Sequence, residues 1–169
     1  MAQISEIDVV GIDYDYAGKI SIDNIIYRVN RKPTELTSYP YLVVCKKIEE
    51  ISTSSTDILV VDDLKRIENH LKRRARKRIG LEITVSHARK QDGPNIGKWF
   101  KQIRYLYKFC KLNEYQFILS SGANSELEMV SGRSFDSILK ICDIKPEQYW
   151  RDLAEWIETK YQRMVFVSA

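Results

Sequence analysis

An α/β domain built on a mainly parallel sheet is the fold class this sequence predicts, and three observations predict it. Short apolar runs rich in β-branched residues recur along the chain, and stretches of helical periodicity separate several of them. Strands that alternate with helices imply parallel pairing, because a parallel connection must cross over and the crossing segment is usually a helix. The length of 169 residues suits one domain, residues 1–169, and suffices to bury a core without disulfide or metal support.

The strands are predicted at residues 9–13, 41–45, 58–61, 81–85, 117–120 and 165–167, where the apolar runs are short and bounded by turn residues. A helix is predicted over residues 62–77. Asp62 or Asp63 opens it as N-cap, Leu64, Ile67, Leu71 and Ala75 form its apolar stripe, and Gly80 lies past its end. The breaker Asp92, Gly93, Pro94 precedes a second helix over residues 95–112, whose inward face is Ile96, Trp99, Phe100, Ile103, Leu106, Tyr107 and Cys110. Two more helices follow over 134–141 and 146–161, the latter with Pro146 in the favoured first turn. The opening third yields only a short helix near residues 22–29 and a polar linker over 30–40 with two prolines. The serine and threonine patch at residues 52–56 reads as a turn.

Hydrophobic residues make up 44% and charged residues 30% of the chain, close to the averages for soluble proteins, so neither disorder nor a membrane protein is indicated. No apolar run approaches the ~20 residues that span a bilayer, and the acidic N-terminus does not resemble a secretory signal, so no membrane contact and a cytoplasmic location are expected. Cys45, Cys110 and Cys142 are odd in number and widely spaced in apolar stretches, the pattern of reduced core thiols and not of a zinc site. The net charge of +4 permits nucleic-acid binding without demonstrating it.

The distribution of charge says more. Lys72, Arg73, Arg74, Arg76, Lys77 and Arg78 are six basic residues in seven positions at the end of the first helix. Cations near a helix C-terminus gain ~0.3–1 kcal/mol each from the macrodipole, but one or two would satisfy it. Six without an interleaved carboxylate repel one another, and an anionic partner relieves that repulsion; the alternative is a solvated face. On the second helix Lys98, Lys101, Arg104, Lys108 and Lys111 fall within an arc of about 140°, away from the apolar stripe. An ordinary surface helix alternates signs at i and i+4, whereas here Glu114 is the first acid after Asp92. Two such helices after consecutive strands can present one surface to phosphates.

Catalytic candidates belong at the C-terminal ends of the strands, where α/β folds assemble their sites. They are Asp13, Asp15, Asp62, Asp63, Ser86, His87, Ser120 and Ser121. Asp62 and Asp63 equally suit helix caps, and Asp13 and Asp15 suit turns. The only histidines are His70 and His87, too few for the imidazole-rich metal sets of hydrolytic barrels, and no nucleophile elbow, P-loop or dinucleotide fingerprint is present. The segment from Ser120 through Gly122 to Ser125, followed by Ser131 and Arg133 at a helix start, could either hold a phosphate or simply cap the helix and close turns.

The order of a strand GLEITVSHA, a basic amphipathic helix, a strand QFILSSGANSELEM and then SGRSFDSILKICDI resembles the archaeal and eukaryotic family of ribonuclease P protein component 3. That family shows a "V-E-I" strand, a strand ending in "I-S-S-G-A", an "L-R-S-P-x-D" helix start and an "L-G-L" turn. The counterparts here are residues 81–83, 119–123, 130–136 and 142–144, and DILVVDDLKR upstream also fits. Phe135 stands where the family has proline and Asp143 where its turn has glycine. The resemblance covers about two thirds of the chain.

The resemblance implies a TIM-barrel-like α/β fold, reduced or incomplete here because the N-terminal third is short. It implies a subunit that pairs with ribonuclease P protein component 2 and the other ribonuclease P proteins, and supports the catalytic RNA in 5′ maturation of precursor tRNA. The RNA would cleave with its own magnesium, so the chain itself would bind no cofactor and not be an enzyme alone. By the motif, Ser120, Ser121 and Arg133 are candidate RNA contacts; by charge placement, so are Arg73, Arg74, Lys98, Lys101, Arg104 and Lys108. The rival reading is a metal-dependent phosphoesterase of the barrel type, which would need Asp13, Asp15, Glu82 and His87 to converge.

Overall fold

The computed structural model describes residues 8–10, 25–29, 41–51, 56–71, 79–89, 93–123 and 125–161. Among these residues six strands, β1 (Asp8–Val10), β2 (Ile25–Val29), β3 (Tyr41–Cys45), β4 (Ile58–Val60), β5 (Gly80–Thr84) and β6 (Gln116–Ser120), lie side by side in chain order. Every pair is parallel. The first strand also approaches the last. Among the described residues five α-helices accompany them: α1 (Leu64–Leu71), α2 (Val85–Arg89), α3 (Gly93–Asn113), α4 (Gly132–Ile141) and α5 (Pro146–Tyr161). The architecture is α/β, a parallel sheet with flanking helices.

Residues 25–29 form strand β2 where the sequence suggested a short helix. The run Ile25, Ile26, Tyr27, Val29 is β-branched and aromatic, and pairing with β1 and β3 decides its state. The short helix α2 was not anticipated, because the five residues Val85–Arg89 are too few to show a period. Ile96, assigned to the inward face of α3, is 37% exposed. The expected strand at 165–167, the polar linker at 30–40 and most of the 52–56 turn lie outside the described residues.

Register sorts the core. Leu81 pairs with Phe117 and Ile83 with Leu119, while Val60, Glu82 and Ile118 align on the opposite face. α3 covers the first face through Trp99, Ile103, Leu106 and Cys110, all buried, and Tyr107 meets Phe117 edge to face at 5.6 Å. The opposite face, with Ile58, Val60, Ile118 and Glu82, is buried as well, as the strands of a parallel sheet require. α5 also meets β6, where the Tyr149 hydroxyl accepts from Leu119 N at 3.0 Å and donates to Leu119 O at 3.2 Å, so both backbone groups of Leu119 are satisfied.

The helix ends follow elementary capping chemistry. Asp63, not Asp62, caps α1, its Oδ1 accepting from Lys65 N at 3.0 Å and Arg66 N at 3.3 Å. Replacing Asp63 by alanine is expected to cost about 1 kcal/mol in urea denaturation, whereas the same change at Asp62 leaves the midpoint in place. The three cysteines are free and buried, and burial pushes the Cys142 thiol up to about 11.

Candidate nucleic-acid interface

α3 places its basic residues in three settings. Lys111 lies on one flank, 2.5 Å from Asp152 of α5 and over the Tyr107 ring; the bond to Asp152 raises its pKa. Arg104 lies on the same flank. Its Nη2 donates to Ile141 O at 2.5 Å, at the carbonyl end of α4, and its Nε stands 3.5 Å from Asp143 Oδ2, a distance of charge attraction rather than a hydrogen bond. Arg104 thus docks α3 against the end of α4, and its charge is partly spent there. Lys98, Lys101 and Lys108 are exposed and have no ion pair among the described residues. They share the outer surface of the helix with Tyr105 and Leu112, which are 51% and 84% exposed.

The Tyr105 hydroxyl donates to the Glu68 carboxylate of α1, a link between the two helices. The basic run that follows Leu71 in sequence, with Arg73 and Arg74, lies outside the described residues.

The strand ends of β5 and β6 are wired to each other rather than open. Ser120 is fully buried and its hydroxyl donates to Glu82 Oε1 at 2.5 Å. Ser121 is equally buried, its Oγ accepting from Ala123 N at 3.2 Å and its carbonyl from Ser86 N at 3.0 Å. Neither serine hydroxyl presents itself at the surface, and their task in this arrangement is to shape the loop. Thr84 and Ser86 share a hydroxyl contact at 2.8 Å, and the left-handed Gly122 (φ 60°) packs on both. Arg133 is exposed in the first turn of α4. Ser131 caps that helix, its Oγ accepting from Ser134 N, so the capping alternative accounts for the serines here.

The acid and histidine candidates do not assemble among the described residues. Glu82 faces away from α3 and is bonded to Ser120, His87 lies in α2 partly exposed, and Asp13 and Asp15 lie outside the described residues. No group of three or more potential metal ligands occurs among the described residues, and no described helix is long and apolar enough to cross a membrane.

A cleft of about 320 Å³, which the sequence did not signal, opens at the C-terminal ends of β3 and β4. Lys46, Lys47 and Arg66 line it together with Glu49, Asp62 and Asp63. Opposite charges balance in it: Arg66 pairs with Glu49, and Asp63 is committed to its cap.

No protein family and no curated protein matches the chain.

Proposed function

We propose that this chain is an RNA-binding protein that acts by holding RNA rather than by cutting it, and that its specific role is that of a ribonuclease P protein subunit supporting the catalytic RNA in tRNA 5′ maturation. The carrying observation is the outer surface of α3, where Lys98, Lys101 and Lys108 stand exposed without ionic partners among the described residues. An unneutralised row of cations on a rigid helix matches a phosphate backbone. In the sequence, six further basic residues lie between positions 72 and 78, after the last described residue of α1. Arg133 is a further exposed cation, in the first turn of α4.

The ribonuclease P reading rests on the sequence resemblance, and two local features support it. Asp143, at the position where the family turn has glycine, has φ 59°, and Ile144 N closes back on Leu139 O at 2.9 Å. A turn of that hand favours glycine and tolerates aspartate. Asp136, the acid of the helix-start motif, accepts from Trp150 Nε1 at 2.7 Å and so ties α4 to α5. On this reading the fold is a reduced TIM-type barrel, the partners are ribonuclease P RNA and protein component 2, magnesium belongs to the RNA, and the protein works in the cytoplasm.

The test is RNA affinity as a function of salt. Log affinity for a precursor tRNA is expected to fall linearly with log salt, and replacing Lys98, Lys101 and Lys108 together by alanine should flatten that slope by roughly 2, at about 0.7 per single-strand phosphate contact. A slope unchanged by the triple replacement removes α3 from the interface. For the specific role, the chain plus component 2 should stimulate cleavage by ribonuclease P RNA at limiting magnesium, with none in the absence of that RNA.

A further inference from the structure

The outer line of α3 is not purely basic. Lys101, Tyr105 and Lys108 are spaced i, i+4, i+7, within roughly 60° of arc at about 100° per residue. Along the axis the two lysines lie about 6 Å before and about 4.5 Å beyond the tyrosine. Tyr105 is half exposed, yet its ring is not free to swing, because its hydroxyl is held by Glu68 of α1. That bond also raises the pKa of the phenol, since a carboxylate beside it opposes a second negative charge. Leu112, still more exposed, continues the same line.

A duplex offers such a surface phosphates, 2′-hydroxyls and base edges but no free base face, because its bases are stacked on one another. An unpaired nucleotide offers both a base face and flanking phosphates, and base-on-aromatic stacking between cations is the mode by which single strands are held. Building on the RNA-binding reading above, we propose that Tyr105 is a stacking platform for one unpaired nucleotide, whose neighbouring phosphates are taken by Lys101 and Lys108, so that α3 receives single-stranded RNA. Glu68 is then a positioning residue that fixes the ring.

The experiment compares the full chain with its variants for binding to a short unstructured RNA strand and to the corresponding duplex, by fluorescence anisotropy at low salt. Tyr105→Ala should lower single-strand affinity by about 5- to 150-fold, the equivalent of about 1–3 kcal/mol per stacked base, and leave duplex affinity where it was. Tyr105→Trp should keep the affinity, and it carries the test with Tyr105→Phe should the alanine variant fail to fold. Equal loss on strand and duplex, or no loss on the strand, overturns the stacking role. If the lysine replacements still weaken both RNAs, the RNA-binding reading survives that failure; if the unaltered protein binds neither RNA, both readings fall.

Discussion

Lys160→Met is expected to destabilise the protein by about 3–5 kcal/mol, the cost of removing one partner from a buried ion pair. Lys160 is only 3% exposed, and its Nζ stands 3.1 Å from Asp57 Oδ1, with the Trp156 ring at 4.9 Å. Asp57 cannot move to water when the cation is lost, because it is built into the sheet. Its Oδ2 accepts from Val43 N at 3.1 Å, its own N–H donates to Val43 O, and its carbonyl accepts from Gly80 N. The carboxylate would stay in place with its charge uncompensated. At roughly 2–4 °C per kcal/mol for a chain of this size, the melting temperature should fall by roughly 6–20 °C. A Lys160→Met, Asp57→Asn double variant should recover part of the loss, since the amide oxygen can still accept from Val43 N and no bare charge remains. A single-variant cost under about 1 kcal/mol, a value typical of surface pairs, would show that the pair does not tie α5 to the sheet.

Gly122→Ala is expected to cost about 2–5 kcal/mol, the sum of two independent penalties. Gly122 has φ 60°, where a Cβ costs about 1–2 kcal/mol against the following carbonyl. A Cβ there would also lie 2.7 Å from Ser86 Oγ and 2.8 Å from Thr84 Cβ, and such overpacking adds about 1–3 kcal/mol. Neither neighbour can yield easily, because Thr84 ends a buried strand and Ser86 is held by the Ser121 carbonyl and the Thr84 hydroxyl. Urea unfolding with an unchanged slope and a lower midpoint is the expected result. A midpoint within error of the original would mean that the β6 loop relaxes freely, and that the wiring between the two strand ends is not rigid.

The elements that the sequence announced are those whose local signals agree. β3, β4, β5 and β6 are short β-branched or apolar runs; α3 has a long apolar period with Trp99, Ile103, Leu106 and Cys110 on one face; Pro146 opens α5 where a missing N–H costs nothing. The basic stripe of α3 was legible for the same reason, since helical period alone places Lys98, Lys101 and Lys108 opposite the core. Illegible were features that depend on what comes near in space. Lys160 in the last turn of a helix reads as a solvated cation favoured by the dipole, and only the approach of Asp57 makes it a core residue. Arg104 belonged to the stripe by angle, but the end of α4 claims it. Ser120 and Ser121 looked like strand-end hydroxyls ready for a ligand; the neighbouring strand turned Glu82 toward one and closed the loop over the other.

The sequence by itself determined the α/β class, the long helices and the excess of positive charge on α3, because period, propensity and capping act within a few residues of chain. The tertiary structure alone decided that β2 is a strand, that Tyr105 and Glu68 link α3 to α1, and which polar groups are spent on the fold and which stay exposed. Those outcomes depend on desolvation and on pairing between residues as far apart as Asp57 and Lys160, and no local pattern encodes such a distance.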